Sequence, residues 1–182
     1  VLVTDGSSGS GAELVVLVDE SGTPTGTQDK AEVHHTSTPL HLAFSTHVFD
    51  DDGRILVTRR ALSKRTWPGV WTNSFCGHPG PGESTVDAIA RRADYELGIS
   101  VTDLSLALPE FRYRAVDFSG VVENEICPVY TARVVSPLSP RDSEVSQWEW
   151  VDPHQLVEAV RLTPWAFSPW LTLQLPQLYP AG

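Results

Sequence analysis

The sequence predicts an α+β fold, a layered α/β/α arrangement in which a mixed β-sheet is flanked by helices. Three observations predict it. Apolar runs of strand length recur from Glu13 to Val151, several ending in short Asp/Gly or Ser/Gly turns. One long segment, Glu83 to Leu97, carries apolar residues at helical spacing. The remaining helical patterns cluster at the end of the chain instead of alternating with strands.

The elements follow in order. Glu13 to Asp19 (ELVVLVD) reads as a strand ending at a Ser21-Gly22 turn, and a polar, histidine-bearing stretch then runs to about Pro39. Leu40–Phe49 and Arg54–Arg60 read as a hairpin turning at Asp50-Asp51-Asp52-Gly53. Trp67-Pro68-Gly69 is a turn leading into the segment that holds Cys76 and His78. The helix over Glu83–Leu97 takes Val86, Ile89, Ala90, Ala93 and Leu97 as its apolar stripe, and Gly98 stops it. Leu106–Val116 and Val121–Val135 form a second hairpin around Asp117-Phe118-Ser119-Gly120. A short strand, Gln147–Val151, precedes helices over Pro153–Arg161 and Ser168–Leu175.

A chain of 182 residues with 41% apolar and 20% charged side chains fits one well-buried domain, expected over 13–182. The start, VLVTDGSSGSGAE, has neither a basic nor an apolar segment of the secretory kind, so 1–12 is expected to be a flexible Gly/Ser-rich leader. No apolar run approaches the ~18 residues of a membrane span. The chain holds no Met, so an initiator has been removed or Val1 is not the natural start. A formal charge of −10 argues against nucleic acid or an anionic membrane as the main partner. It leaves room for a small anionic ligand met by a local cluster of cations. Two cysteines without an export signal imply reduced thiols and a cytoplasmic protein.

Glu123 and Glu125, in VVENEICPVY, are two apart on a strand, so they share a face at roughly 6.5 Å between Cα atoms. Two such carboxylates repel unless a cation sits between them or one keeps a proton. Histidines at 34, 41 and 78 and the cysteine of WTNSFCGHP supply material for both solutions. His47 and His154 fit surface or structural roles, Cys127 a small buried hydrophobe, and Arg112 and Arg114 solvent or an ion pair. Trp148 and Trp150 fit the core.

From Gly77 the spacing is Gly, five residues, Glu83, seven residues, then Arg91-Arg92-Ala93-Asp94-Tyr95-Glu96-Leu97-Gly98-Ile99. This resembles the Nudix box, with Arg92 and Tyr95 standing where the box has two acids. The resemblance implies a Nudix-like fold whose hydrolytic metal cradle is depleted. Arg92 and Glu96, four apart, are a surface ion pair on general grounds; within this spacing Glu96 holds a metal while Arg92 meets a diphosphate.

HLAFS (41–45), TRRALSK (58–64), WPGVWTNSFCGHP (67–79), FRYRA (111–115), ENEICPV (123–129) and TPWAFSPW (163–170) occur in order. Together they resemble the type 1 isopentenyl diphosphate isomerases over Leu14 to Trp170. The resemblance implies interconversion of isopentenyl and dimethylallyl diphosphate through a tertiary carbocation, in isoprenoid biosynthesis. It implies a metal site of His34, His41, His78, Glu123 and Glu125, with His35 as the runner-up to His34. Mn²⁺ or Mg²⁺ suits five N/O ligands, while affinity order favours Zn²⁺. It makes Cys76 and Glu125 the catalytic pair and Tyr113 their assistant, with Tyr113 relaying or sharing the proton of Glu125. Which of the pair gives the proton stays open. A thiol is only a few per cent ionised at neutral pH, and nearby cations would help Cys76 act as base. Trp170 faces the carbocation, with Trp67, Trp71 and Trp165 as competitors. Mg²⁺ bridging to the diphosphate would meet Glu96 and the Cys76 carbonyl, and Lys30, Arg60, Lys64 and Arg92 would contact the diphosphate. A monomer or weak dimer is expected. No flavin is expected, since no GxGxxG loop opens a helix. Diphosphate hydrolysis and non-catalytic binding of a metal or isoprenoid diphosphate are the competing functions.

Overall fold

In the computed structural model, residues 13–180 are described; the leader expected over 1–12 lies outside them. In chain order the strands are β1 Leu14–Val18, β2 Pro24–Asp29, β3 His41–Leu42, β4 Phe44–Phe49, β5 Ile55–Arg60, β6 Trp71–Thr72, β7 Phe75–Gly77, β8 Val101–Leu108, β9 Arg112–Val116, β10 Val122–Ile126, β11 Val129–Val134 and β12 Val145–Val151. The helices are α1 Lys30–Val33, α2 Thr85–Leu97, α3 Pro153–Leu162 and α4 Pro169–Leu178.

These strands make two sheets. One runs β2-β1-β3-β10-β9, and the other β12-β5-β4-β11-β8 with β6 on β5 and β7 on β4. Two parallel pairings tie them together: β3 beside β10 and β4 beside β11. The same two stretches of chain therefore run side by side through both sheets, stepping from one to the other at Ala43 and at Cys127-Pro128. Across the step Ala43 N–H donates to the Ile126 carbonyl at 2.9 Å and Ser45 N–H to the Pro128 carbonyl at 3.1 Å. Leu40–Phe49 and Val121–Val135 were each expected as one strand; each is broken here, at Pro128 because proline has no N–H for a ladder. The 106–116 arm is likewise broken between β8 and β9.

The first expected hairpin is also corrected. β4 and β5 meet only at Phe49↔Ile55, because β6 and β7 wedge between them. The turns hold: Gly53 and Gly120 take φ of 77° and 86°. Asp117 caps the second turn through Ser119 and Val121 N–H. β2 and the single turn α1 went unread because PTGTQD and KAEV carry no apolar period.

Helix α2 starts at Ser84, whose hydroxyl accepts from Asp87 N–H, and ends at Gly98 with φ 62°. A Cβ at Gly98 would lie 2.9 Å from the Ser139 carbonyl, so only glycine fits. Its buried face is Ala88, Ile89, Arg92, Ala93, Glu96 and Leu97, while Val86 and Ala90 face solvent. The expected apolar stripe is thus displaced, and two charged residues occupy the buried face. The helix packs with Phe44, Val48, Phe75 and Ile99. Each large apolar side chain so buried contributes roughly 1.5–3 kcal/mol. Trp150 packs against this core, but Trp148 is exposed on β12 and does not. No helix among the described residues is long and apolar enough to cross a membrane.

Candidate active site

Register builds the site. β10 pairs Glu125 with His41 on β3 and with Tyr113 on β9, which sets the three side by side across the sheet. His34 caps the end of α1, and His78 follows β7 of the other sheet. Gly77 permits this approach, because a Cβ there would lie 2.7 Å from both Arg92 and Phe44. Arg91 holds the following loop: it bonds the His78 carbonyl at 3.2 Å and Glu83 at 2.8 Å.

The donor atoms of His34, His41, His78 and Glu125 lie within 4.8 Å of one another. Glu125 Oε1 is 3.1 Å from His78 Nε2, 3.5 Å from His41 Nε2 and 3.9 Å from His34 Nε2. Glu123 stands beside the group, its Oε2 3.6 Å from His34 Nε2. The Pro39 carbonyl engages His41 Nδ1 at 2.9 Å, which aims Nε2 inward. The Nε2 atoms of His34 and His41 are buried without a hydrogen-bond partner. Unpartnered imidazole nitrogens facing two carboxylates fit a divalent cation. His35 is not part of this group; its Nδ1 accepts from Ser37 N–H.

The two carboxylates differ. Burial, reinforced by the Glu125 charge, raises the pKa of Glu123. Burial would raise Glu125 too, but the three histidine ring nitrogens that face it, with His78 in hydrogen-bond reach at 3.1 Å, bring it well below the usual carboxylate range. Tyr113 donates to Glu123 at 3.2 Å, and Thr66 does so at 2.6 Å. Tyr113, expected to relay or share the proton of Glu125, thus stands opposite Glu125 in the register while its hydroxyl bonds Glu123. The histidines crowd Glu125, and the tyrosine hydroxyl reaches the other carboxylate.

All of these groups except His41, which lies behind them, line one cavity of about 610 Å³, which also takes in Cys76, Trp170, Lys30, Arg60, Lys64, Arg92 and Glu96. Burial pushes the Cys76 thiol up to about 12; the thiol donates to Asn73 Oδ1 at 3.3 Å, with Ser45 Oγ at 3.5 Å. Burial therefore favours the thiol form of Cys76 over the thiolate. Trp170 is buried, with Arg60 5.3 Å over its ring, Tyr113 at 5.7 Å and Trp67 edge-on at 5.5 Å. Of its competitors, Trp165 is 81% exposed and Trp71 lines a separate groove.

Every cation expected to meet a diphosphate already has a partner. Lys30 pairs with Glu13 at 3.0 Å and Lys64 with Glu144. Arg60 bonds the Thr66 carbonyl at 2.8 Å. Arg92 reaches Glu96 at 2.6 Å and Glu144 at 3.5 Å. Arg92 and Glu96 are both buried, so theirs is no surface pair, and Glu96 Oε1 is held by Arg92. Sequence reasoning passed over Glu13, Thr66, Asn73 and Glu144. Asn73 stood inside a quoted motif, while the others carry no local signal. Cys127 is buried as expected, and Arg112 pairs with Glu20 at 2.6 Å in solvent.

A NUDIX domain model matches residues 39–171. The isopentenyl-diphosphate Delta-isomerase of Leifsonia xyli subsp. xyli is 68% identical over 172 residues, 93% of each chain. That of Clavibacter sepedonicus is 64% identical over 168 residues, 92% of this chain and 88% of its own. Among solved structures, DR0079 from Deinococcus radiodurans shares the fold with a TM-score of 0.70 at 19% identity, over 92% of this chain and 99% of that one. By domain match and by identity along nearly its whole length, the chain belongs to the isopentenyl-diphosphate Delta-isomerase family and is built on the Nudix fold.

Proposed function

We propose that the chain interconverts isopentenyl and dimethylallyl diphosphate by adding and removing protons while the diphosphate stays intact. The observation that carries this reading is that Cys76 and Glu125, from different sheets, line one cavity with a buried indole and a wall of cations. An unactivated double bond needs a proton delivered at one carbon and another removed from its neighbour. Cys76 and Glu125 are that pair, and they exchange roles when the reaction reverses. Glu125 Oε1 is committed to the histidines, which leaves Oε2 to handle a proton. Tyr113 and Thr66 orient Glu123 so that it neither traps nor competes for the carbocation. Trp170 presents an indole face to the cation and excludes water, a contribution of about 2 kcal/mol when desolvated.

A divalent cation held by His34, His41, His78, Glu123 and Glu125, Mn²⁺ or Zn²⁺ in our reading, would supply charge that fixes the two carboxylates. Glu96 and the Cys76 main-chain carbonyl would hold Mg²⁺ carried with the diphosphate. Lys30, Arg60, Lys64 and Arg92 orient the phosphates, and substrate takes the place of the carboxylates that now pair with them. Arg92 and Tyr95 occupy positions where the Nudix box has acids, which argues against hydrolysis. The reading extends to a cytoplasmic protein, monomer or weak dimer, with both thiols reduced; Cys76 and Cys127 are free.

The test is turnover of isopentenyl diphosphate by metal-stripped protein, then with Mg²⁺ alone, then with Mg²⁺ plus Mn²⁺ or Zn²⁺. We expect full activity only with both kinds of ion. Equal turnover in the stripped protein would remove the metal from the account.

A further inference from the structure

We infer that Asn73 is a positioning residue for this proton transfer: its side-chain amide fixes the Cys76 thiol and the Trp170 indole relative to each other. The inference rests on the reading of those two residues given above.

Asn73 lies in the two-residue link between β6 and β7 and is fully buried. Its Oδ1 accepts from Trp170 Nε1 at 2.9 Å, from Thr72 Oγ1 at 2.9 Å and from the Cys76 thiol at 3.3 Å. Its Nδ2, with two hydrogens, faces three acceptors: the Phe75 carbonyl at 2.8 Å, the Thr46 carbonyl at 3.1 Å and Ser45 Oγ at 2.8 Å. The orientation of this amide is not free. An indole N–H can only donate and a main-chain carbonyl can only accept, so a flipped amide would lose three bonds at once. The two carbonyls belong to β7 and to β4, so the oxygen is pinned from both strands.

An amide oxygen has two lone pairs and here meets three donors. Thr72 can turn to Ser168 Oγ, 2.8 Å away. The indole and the thiol are then the two that share the oxygen. Ser45 completes the cradle. It accepts from Asn73 and donates to Gln174 Oε1 at 3.1 Å, with Cys76 Sγ at 3.5 Å. Through the shared oxygen the place of the sulfur is referred to the indole ring.

Turnover and KM of Asn73→Ser and Asn73→Gln are compared with wild type and Cys76→Ala. A positioning role predicts that both Asn73 variants lose about 100-fold in kcat with KM within about threefold. Asn73→Gln keeps an amide but displaces its oxygen by a methylene, so it gives no rescue. Recovery of kcat in Asn73→Gln would mean that the amide merely satisfies buried polar groups, and would overturn the inference. A second measurement needs no change at Asn73. The indole N–H resonance of Trp170, assigned through Trp170→Phe, moves in Cys76→Ser, because a hydroxyl competes harder for the shared oxygen. An unmoved resonance overturns the inference even where the Asn73 variants fail to fold. Retained turnover in Cys76→Ala instead refutes the underlying reading. A dead Cys76→Ala with active Asn73 variants refutes the inference alone.

Discussion

The two ends of the site are built on opposite rules. At one end His34 and His41 turn buried ring nitrogens, without partners, toward Glu125. At the other, Lys30, Lys64 and Arg92 are each paired with a carboxylate. Unpartnered buried ring nitrogens cost stability, so a cation bound there would be gained outright. Paired charges gain only by exchange, so the cation end selects a ligand with more charge than one carboxylate. A diphosphate group, with two to three negative charges of its own, would meet that condition, and a monoanion would not.

The largest expected effect is at the histidine end. Glu125→Gln and Cys76→Ala each lose roughly 10³-fold or more in kcat, the scale of a positioned acid or base. Steady-state turnover at saturating substrate reads it, and an active Glu125→Gln would remove Glu125 from the proton path.

Next comes metal binding itself. Adding Mn²⁺ or Zn²⁺ to stripped protein raises Tm, and His41→Ala abolishes the rise, as differential scanning calorimetry would record. An equal rise in His41→Ala would place the ion elsewhere.

The cation end yields smaller effects of opposite sign. Lys64→Ala raises KM about tenfold with little change in kcat, since uniform binding is lost. Glu144→Gln releases Lys64 and Arg92 and lowers KM about threefold, near 0.6 kcal/mol. Matching signs in the two variants would break the exchange account.

The smallest effect sharpens the comparison with a histidine outside it. His47 bonds the Gln174 amide at 2.9 Å, with no carboxylate in reach, and burial holds it at about 4. An unfolded histidine titrates near 6.5, so the unfolded chain takes the proton first. Stability from neutral His47 is therefore full above pH 6.5 and is lost as pH falls toward 4, by at most about 3 kcal/mol. Denaturant melts at pH 7.5 and 4.5 should show a smaller loss in His47→Gln than in wild type.

Much of this was legible because it is local. The Glu-x-Glu strand, the Gly98 stop and the Asp117–Gly120 turn are read from neighbours in the chain. The pairing of Arg92 and Glu96 was legible too, but not its burial, which depends on Phe44 and Gly77 closing over the helix. Register decided what sequence could not. Tyr113 lies opposite Glu125, yet its hydroxyl reaches Glu123, because the three histidines occupy the Glu125 side. Glu13 and Glu144 were invisible for the same reason: each meets a cation that is distant in the chain.

The most direct test of the account is the reaction of isopentenyl diphosphate in D₂O with the metal-loaded protein, followed by proton and phosphorus NMR. Proton transfer at an intact diphosphate predicts dimethylallyl diphosphate carrying solvent deuterium, with no inorganic phosphate or diphosphate released. Phosphate release, or product free of solvent deuterium at every extent of reaction, would contradict it.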